Sequence, residues 1–144
     1  ASPGGDAVIA HLSAALFTLV VRTLMDQGDL QQGLLALLMD ARVGPALAAV
    51  IAAPAEPWTL ERLAEVSRMS RASFARHFAQ LSPATPMDVV TALRMDLAAR
   101  LLRETPRSIE QIGEACGYTS RAAFGQAFKR VHGTSPAAFR RQAE

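Results

Sequence analysis

The spacing of apolar residues near the start of the chain predicts an amphipathic helix. Ile9, Leu12 and Leu16 recur at intervals of three and four, which places them on one helical face. Asp6 is suited to cap this helix, which we expect to cover residues 7–25. The apolar stripe is wide, so the helix needs cover on more than one side.

The run at residues 7–21 contains no formal charge, which raises the question of a membrane span. Fifteen residues at about 1.5 Å each cover only about 22 Å, whereas a bilayer core is about 30 Å thick. No basic stretch precedes the run, and no small-residue cleavage pattern follows it. We therefore expect neither a membrane span nor a signal peptide.

Two shorter helices are predicted before the pattern changes. Asp29 can cap a helix that carries Leu34 and Leu37, and Pro45 suits the first turn of a third helix that ends near residue 52. Two prolines then make residues 53–57 a short, stiff break. The chain opens with Ala-Ser-Pro and not with Met, which leaves open that it is part of a longer protein.

A unit of about thirty residues then occurs twice, at residues 59–90 and 108–140. Leu60 and Glu61 correspond to Ile109 and Glu110 at an offset of 49. One extra residue follows in the second copy, and the offset becomes 50. The positions that then match are Ser70, Arg71, Ala72, Phe74, Phe78 and Pro86 with Ser120, Arg121, Ala122, Phe124, Phe128 and Pro136.

Each copy is interpreted as a helix, a turn and a second helix. Thr59 and Ser108 are placed to cap the first helices, and Ser70 and Ser120 to cap the second. A run of good helix formers joins the copies. We expect an all-α fold with a first helix-turn-helix at 59–81, a linker helix at 86–104, a second helix-turn-helix at 108–132 and a final helix at 135–142.

The two copies differ where their second helices begin and end. Gly117 provides the left-handed turn of the second copy, but Arg68 stands at that position in the first, at a cost of about 1 to 2 kcal/mol. Pro83 replaces Gly133, and proline cannot adopt a left-handed cap. We expect a differently shaped exit from the first of these helices.

A helical projection separates the faces of the second helix in each copy. In the first copy Phe74, Phe78 and Leu81 face inward, whereas Ala72 and Arg76 point away from them. In the second copy Phe124, Phe128 and Val131 face inward, and the outward residues are Ala122 and Gln126, with Lys129 and Arg130 nearer the far end. Arg71 and Arg121 lie on the shoulder of the first turn.

Charge is distributed unevenly along the chain. Residues 1–57 hold two basic and five acidic residues, a net charge of −3, whereas residues 58–144 hold thirteen and eight, a net charge of +5. All but one of the fifteen basic residues are Arg, which forks onto phosphate oxygens and guanine edges better than Lys. The basic part is therefore the candidate for a polyanionic partner.

Candidate chemistry for catalysis or cofactor binding is sparse. Cys116 is the only cysteine and has no Cys or His at metal-ligand spacing, so neither a disulfide nor a zinc site is expected. One Cys and three scattered His do not form a catalytic constellation. We expect no enzyme activity and no cofactor, and a reducing intracellular compartment.

Two capped helices with exposed Arg and Gln suit entry into the major groove of double-stranded DNA. The linker helix would be about 28 Å long, comparable to the 34 to 36 Å of one DNA turn, so two readers could enter successive groove segments. The alternative is a helical protein-protein interaction module with a basic surface and no specific DNA target.

The sequence GYTSRAAFGQAFKRVHGTSP followed by AAFR resembles the signature of the AraC/XylS family of bacterial transcription regulators. The resemblance covers residues 43–142 and divides the chain into a segment at 1–42 and a DNA-binding domain at 43–144. The first segment resembles the helical end of a cupin-type sensor half. The resemblance implies promoter binding in the bacterial cytoplasm at the nucleoid, activation through RNA polymerase, and an effector site outside this chain.

The resemblance also implies which residues contact DNA. Base contacts would be made by Arg71, Ala72, Ala75 and Arg76 in the first copy and by Arg121, Ala122, Gly125 and Gln126 in the second. Phosphate contacts are assigned to Ser70, Ser120, Lys129, Arg130 and Arg140. A homodimer contact through residues 7–25 is a further hypothesis.

Overall fold

The computed structural model describes residues 29–143, with side chains from residue 33 onward. This range contains eight helices and no strand, which confirms the all-α prediction. The helix and dimer contact predicted at residues 7–25 lie outside the described residues. The helices are α1 (Asp29–Met39), α2 (Gly44–Ala52), α3 (Leu60–Val66), α4 (Arg71–Leu81), α5 (Pro86–Glu104), α6 (Ile109–Ala115), α7 (Arg121–His132) and α8 (Pro136–Ala143).

The described residues form two compact units. Unit one comprises residues 29–52 and 58–86 and contains α1 to α4. In it α2 packs on α1 and α3, and α4 packs on α1 and α3. Its largest fully buried side chains are Leu37, Val43, Leu47, Val50, Leu63, Phe74 and Phe78.

The turn between α1 and α2 is fixed by Asp40. Its Oδ1 accepts hydrogen bonds from the backbone N–H groups of Arg42 and Val43, both at 2.9 Å. Both carboxylate oxygens also lie 3.0 Å from Nε2 of His77 on α4. An ionised carboxylate only accepts hydrogen bonds, so Nε2 of His77 carries the proton. The predicted domain boundary between residues 42 and 43 falls in this turn.

Unit two comprises residues 53–57 and 87–143 and contains nearly all of α5 together with α6, α7 and α8. Residues of α5, α6 and α7 share one apolar core, and Phe139 of α8 packs against it. The buried members are Met95, Ala98, Ala99, Leu102, Ile112, Cys116, Phe124, Ala127 and Phe128.

The prediction that Val131 faces the core is wrong, because this side chain is 40% exposed. It lies in the last turn of α7, where the rings of His132 and Phe139 cover this end of the core. The ring of His132 lies 4.5 Å from that of Phe128, and Phe139 meets Phe128 edge-on at 5.3 Å. Nε2 of His132 donates to the carbonyl of Met95 at 3.0 Å, so this histidine is held inside unit two.

The residue that sets the spacing between α6 and α7 is Gly113. A Cβ at this position would lie 3.2 Å from ring carbons of Phe124, which is closer than side chains normally approach. The repeat places Ala64 of α3 at the corresponding position in unit one, and it is almost completely buried. Helices α6 and α7 therefore pack so closely at Gly113 that only a hydrogen atom fits in place of a side chain.

Within residues 29–143 no single helix is both long and apolar enough to cross a membrane. Residues 33–39 of α1 and α2 together reach the required length and composition, but they are bent by 97° at the break between them.

Candidate nucleic-acid interface

Both candidate reading helices start at the serine caps predicted from the sequence. Oγ of Ser70 accepts a hydrogen bond from the N–H of Ser73 at 3.1 Å, and Oγ of Ser120 accepts one from Ala123 at 3.2 Å. Both serines have extended backbone, as a residue before a helix should. These bonds occupy an acceptor site of each hydroxyl and leave its own hydrogen available for a phosphate.

The inward face of α4 is aromatic and its outward face carries the predicted base-reading residues. Phe74 and Phe78 are completely buried, with ring centroids 5.9 Å apart. Arg71, Ala72 and Arg76 are exposed. Burial of the two rings fixes the rotation of α4, so its outward face is set by unit one itself.

Helix α7 repeats this arrangement. Phe124 and Phe128 are completely buried, with centroids 6.1 Å apart. The outward positions Arg121, Ala122 and Gln126 are exposed. Ala75 of α4 and Gly125 of α7 are half-buried, and a Cβ at Gly125 would meet nothing within 4 Å. Three of the four predicted positions on each helix are thus exposed, and the fourth is half-buried.

The long polar side chains on these faces differ in their partners. Among the described residues, no hydrogen bond or ion pair engages the guanidinium of Arg76 or the amide of Gln126. By contrast, Nη1 of Arg71 lies 2.9 Å from Oε1 of Glu61, and Nη1 of Arg121 lies 2.7 Å from Oε1 of Glu110. Each of these pairs joins a candidate reading helix to the helix that precedes it.

The carboxylate of Glu110 is ionised in its pair. The backbone N–H of Glu110 itself, and then the positive charge of Arg121, hold the pKa of this carboxyl below its usual value. Arg121 therefore faces a full negative charge at neutral pH.

The predicted phosphate-binding residues fall into two groups. Lys129 and Arg130 are exposed in the last turn of α7. Arg140 is half-buried, and its guanidinium donates to the carbonyls of Leu102 at 3.2 Å and Thr105 at 3.1 Å. Arg140 thus satisfies carbonyl groups at the end of α5, and its phosphate contact stays a prediction.

The turns of the two helix pairs share a left-handed residue, whereas the exits of their second helices differ as the sequence predicted. Arg68 has a left-handed backbone with φ 55°, at the position where Gly117 has φ 93°. Helix α7 ends at Gly133 with φ 78°, whereas α4 ends at Ser82 in an extended conformation before Pro83.

The remaining candidates for reactive or metal-binding groups are the single cysteine and clusters of possible metal ligands. Burial raises the pKa of the Cys116 thiol to about 12, so the reactive thiolate is disfavoured. Residues 33–143 contain no group of three or more His, Cys, Asp or Glu side chains placed to hold a metal ion.

Sequence reasoning missed three sets of contacts. These are the Asp40 bond to His77, the Glu61 and Glu110 ion pairs, and the bonds from Arg94 to the carbonyls of Pro54 and Glu56 at 2.9 and 2.7 Å. The repeat alignment contained a signal for the Glu pairs, because both Glu and both Arg occupy matching positions. No sequence pattern indicates the other two.

Comparison with known proteins identifies the family of the chain. A family model described as a helix-turn-helix domain matches residues 63–142. The RCS-specific HTH-type transcriptional activator RclR of Escherichia coli K12 is 37% identical over 140 residues, which are 97% of this chain and 49% of the relative. The HTH-type transcriptional regulator AlkR of Acinetobacter baylyi is 40% identical over 97% of this chain and 46% of its own length. The chain spans about half the length of these relatives.

Solved structures resemble about 72% of the chain. The DNA-binding domain of AdpA, a global transcriptional factor crystallised with a target DNA, has a TM-score of 0.67 and 30% identity, and the match covers 72% of this chain and 93% of that one. The C-terminal domain of AraT, a response regulator from Geobacillus stearothermophilus, has a TM-score of 0.68 and 30% identity, and the match covers 72% and 87% of the two chains.

Proposed function

Since the chain belongs to the AraC-type family of helix-turn-helix transcription regulators, we propose that it binds promoter DNA sequence-specifically through two reading helices, α4 and α7. The observation that carries the proposal is the repeated face on these helices. Each has a serine cap, two buried phenylalanines on its inner side and an exposed long polar side chain on its outer side. An unengaged guanidinium or amide at such a position is suited to a base edge.

The two units would read different bases. Arg76 can form two hydrogen bonds to O6 and N7 of guanine, and Gln126 can form two to N6 and N7 of adenine. Ala72, Ala75 and Ala122 offer at most a methyl contact and allow close approach to the groove. The paired residues Arg71 and Arg121 would contact bases at the groove edge.

Phosphate contacts would position each unit without reading sequence. Lys129 and Arg130 extend from the end of α7, and the capping hydroxyls of Ser70 and Ser120 lie at the positive ends of their helices. Helix α5 has 19 residues, about 28 Å, which supports binding to two successive major-groove segments.

Activation of transcription is the regulatory outcome we propose, since RclR, which is 37% identical to this chain, is described as an activator. RNA polymerase is then a partner, the site of action is the nucleoid in the bacterial cytoplasm, and the effector would bind a part of the regulator outside this chain. A reporter gene fused to a binding site that the protein selects from random DNA, measured with and without the protein, tests whether the protein activates or represses transcription. Lower expression in its presence would identify a repressor.

The test of base reading starts by selecting bound duplexes from a random pool. We expect two half-motifs about ten base pairs apart. Arg76→Ala and Gln126→Ala should each weaken binding to the selected site by about 1 to 3 kcal/mol and leave binding to a scrambled duplex nearly unchanged. Equal losses on both duplexes would contradict the assignment of base contacts.

Lys129→Ala is the matched control for a phosphate contact. It lies on α7, three residues after Gln126, and removes one charge. We expect a uniform loss of affinity on both duplexes and a salt slope shallower by about 1. A loss confined to the selected site would place Lys129 at a base instead.

A further inference from the structure

Each reading helix starts with an arginine that is paired with a glutamate of the preceding helix. The pairs are Arg71 with Glu61 and Arg121 with Glu110, at 2.9 and 2.7 Å, and both use Nη1 and Oε1. They occupy matching positions of the repeat, one pair in each unit. The same contact is therefore made twice, next to the proposed DNA-binding face.

Stability gives little reason for these pairs. The four side chains are 55% to 65% exposed, and an ion pair this exposed contributes little to stability because water and salt screen it. The first residue of a helix is also an unfavourable place for a cation, because the helix dipole is positive there. Neither α4 nor α7 has an acidic residue in its first turn. Helix stability therefore does not account for an arginine at this position in either helix.

The pairs have a direct consequence at a DNA surface. A guanidinium has five N–H donors, and one hydrogen bond to glutamate leaves four. A paired arginine therefore keeps a fork for a guanine edge, while the adjacent carboxylate fixes its direction and cancels its net charge. Phosphates attract the pair less than they attract a lone arginine, because the glutamate repels them.

We propose that Glu61 and Glu110 determine specificity by orienting Arg71 and Arg121 toward bases and by weakening their attraction to phosphates on non-target DNA. The inference rests on the proposed function and adds two acidic residues to it. They are positioning residues, since they act through the arginines and need not touch DNA themselves.

The test compares two substitutions at each glutamate. Glu61→Gln and Glu110→Gln remove the charge but keep an oxygen that accepts the hydrogen bond from Nη1. We expect each to strengthen binding to a scrambled duplex by about threefold at low salt and to leave the selected site within about twofold, so the specificity ratio falls. Glu61→Ala and Glu110→Ala also remove the acceptor, and we expect them to weaken binding to the selected site as well.

Glu65→Gln and Glu114→Gln are matched controls. They lie on the same helices, α3 and α6, at matching repeat positions, are exposed, and form no ion pair with any described residue. Each should change binding to the two duplexes by a common factor, so the specificity ratio stays constant. A control that lowers the ratio as much as its partner variant would overturn the inference, since charge alone would then explain the result.

A double-mutant cycle tests whether the glutamates act through the arginines. In an Arg71→Ala background, Glu61→Ala should no longer weaken binding to the selected site, and Glu110→Ala should behave likewise with Arg121→Ala. Thermal unfolding of every variant, followed by circular dichroism, should stay within a few degrees of the parent protein. A full effect of Glu61→Ala without Arg71 would overturn the positioning role.

Failure of this inference can be distinguished from failure of the proposed function. If the parent protein prefers its selected site and the Gln variants leave the ratio unchanged, only the role of the glutamates is rejected. If the parent protein binds all duplexes equally or none, the sequence-specific function is rejected and this inference with it.

Discussion

Arg68 shows how one residue departs from the pattern of the repeat. It adopts φ 55° in the turn before α4, where the second copy has Gly117. The sequence alone predicted this strain, because the alignment of the two copies required a left-handed residue at the position. Both units have this left-handed turn, and in unit one the strained backbone of Arg68 destabilises the fold.

Arg68→Gly should therefore stabilise the protein. Relief of the left-handed strain stabilises the folded state by about 1 to 2 kcal/mol. The greater freedom of glycine stabilises the unfolded chain by about 0.5 to 1 kcal/mol and offsets part of this gain. We expect the free energy of unfolding in urea to rise by up to about 1.5 kcal/mol. A decrease would show that the side chain of Arg68 contributes more than its backbone costs.

Gly117→Ala provides the opposing control. A Cβ there would lie 3.0 Å from the carbonyl oxygen of Pro54 and 3.1 Å from the guanidinium of Arg94, in addition to the unfavourable φ of 93°. This variant should be destabilised.

Side-chain partners at this scale were predicted less well than backbone conformation. Exposure of Arg76 and Gln126 followed from a helical projection around the phenylalanines. The ion pair of Arg71 and the internal bonds of Arg140 depend on residues ten or more positions away, so a single-helix projection cannot contain them. Val131 was misplaced for a related reason, since a projection gives direction but not where the core ends.

At the scale of elements, caps and breakers in the sequence located most helix ends. Ser108 and Gln111 form a reciprocal capping box at the start of α6, and Pro106 follows the end of α5. The link between α1 and α4 through Asp40 and His77 was not predicted, because it joins residues 37 positions apart.

Asp40→Ala should destabilise unit one. The substitution removes the acceptor of two backbone N–H groups and the partner of His77, for which we expect a loss of about 1 to 3 kcal/mol in the free energy of unfolding. Asp40→Asn keeps a side-chain acceptor for the turn and should lose less. Equal losses for Ala and Asn would assign the whole effect to the charge.

The same substitution has a defined pH dependence. A hydrogen bond from Val43, and then those from His77 and Arg42, hold the pKa of Asp40 below its ordinary value of 3.8 in spite of its burial. The contribution of the carboxylate is therefore full above about pH 4 and is lost as the pH falls through the lower pKa of the folded state. The difference in stability between the parent protein and Asp40→Ala should shrink on acidification below pH 4, as measured by urea unfolding.

At the scale of the whole molecule, the charge distribution provides a test between DNA binding and the alternative of a protein-protein interaction module. Residues 58–144 carry a net charge of +5 and include α4 and α7, the two proposed reading helices. If about four or more phosphates are neutralised, affinity for random duplex should fall at least about a hundredfold between 50 and 200 mM salt. An absence of binding to random duplex would favour the interaction module.

The overall organisation was predictable because the chain repeats itself. A single helix-turn-helix pattern is ambiguous, but two copies in register, joined by a run without Gly or Pro, define the order of elements from α3 to α8. Packing of α1 and α2 onto the first copy was not predictable in detail, because neither helix has a counterpart in the repeat.

The close contact between Gly113 and Phe124 limits how this regulator could be recombined. Helix α3 carries the methyl group of Ala64 where α6 has a hydrogen atom, so α7 transplanted alone behind α3 would bring Phe124 against a surface to which it is not fitted. A chimera with exchanged DNA preferences should therefore inherit α6 and α7 together, as one cassette.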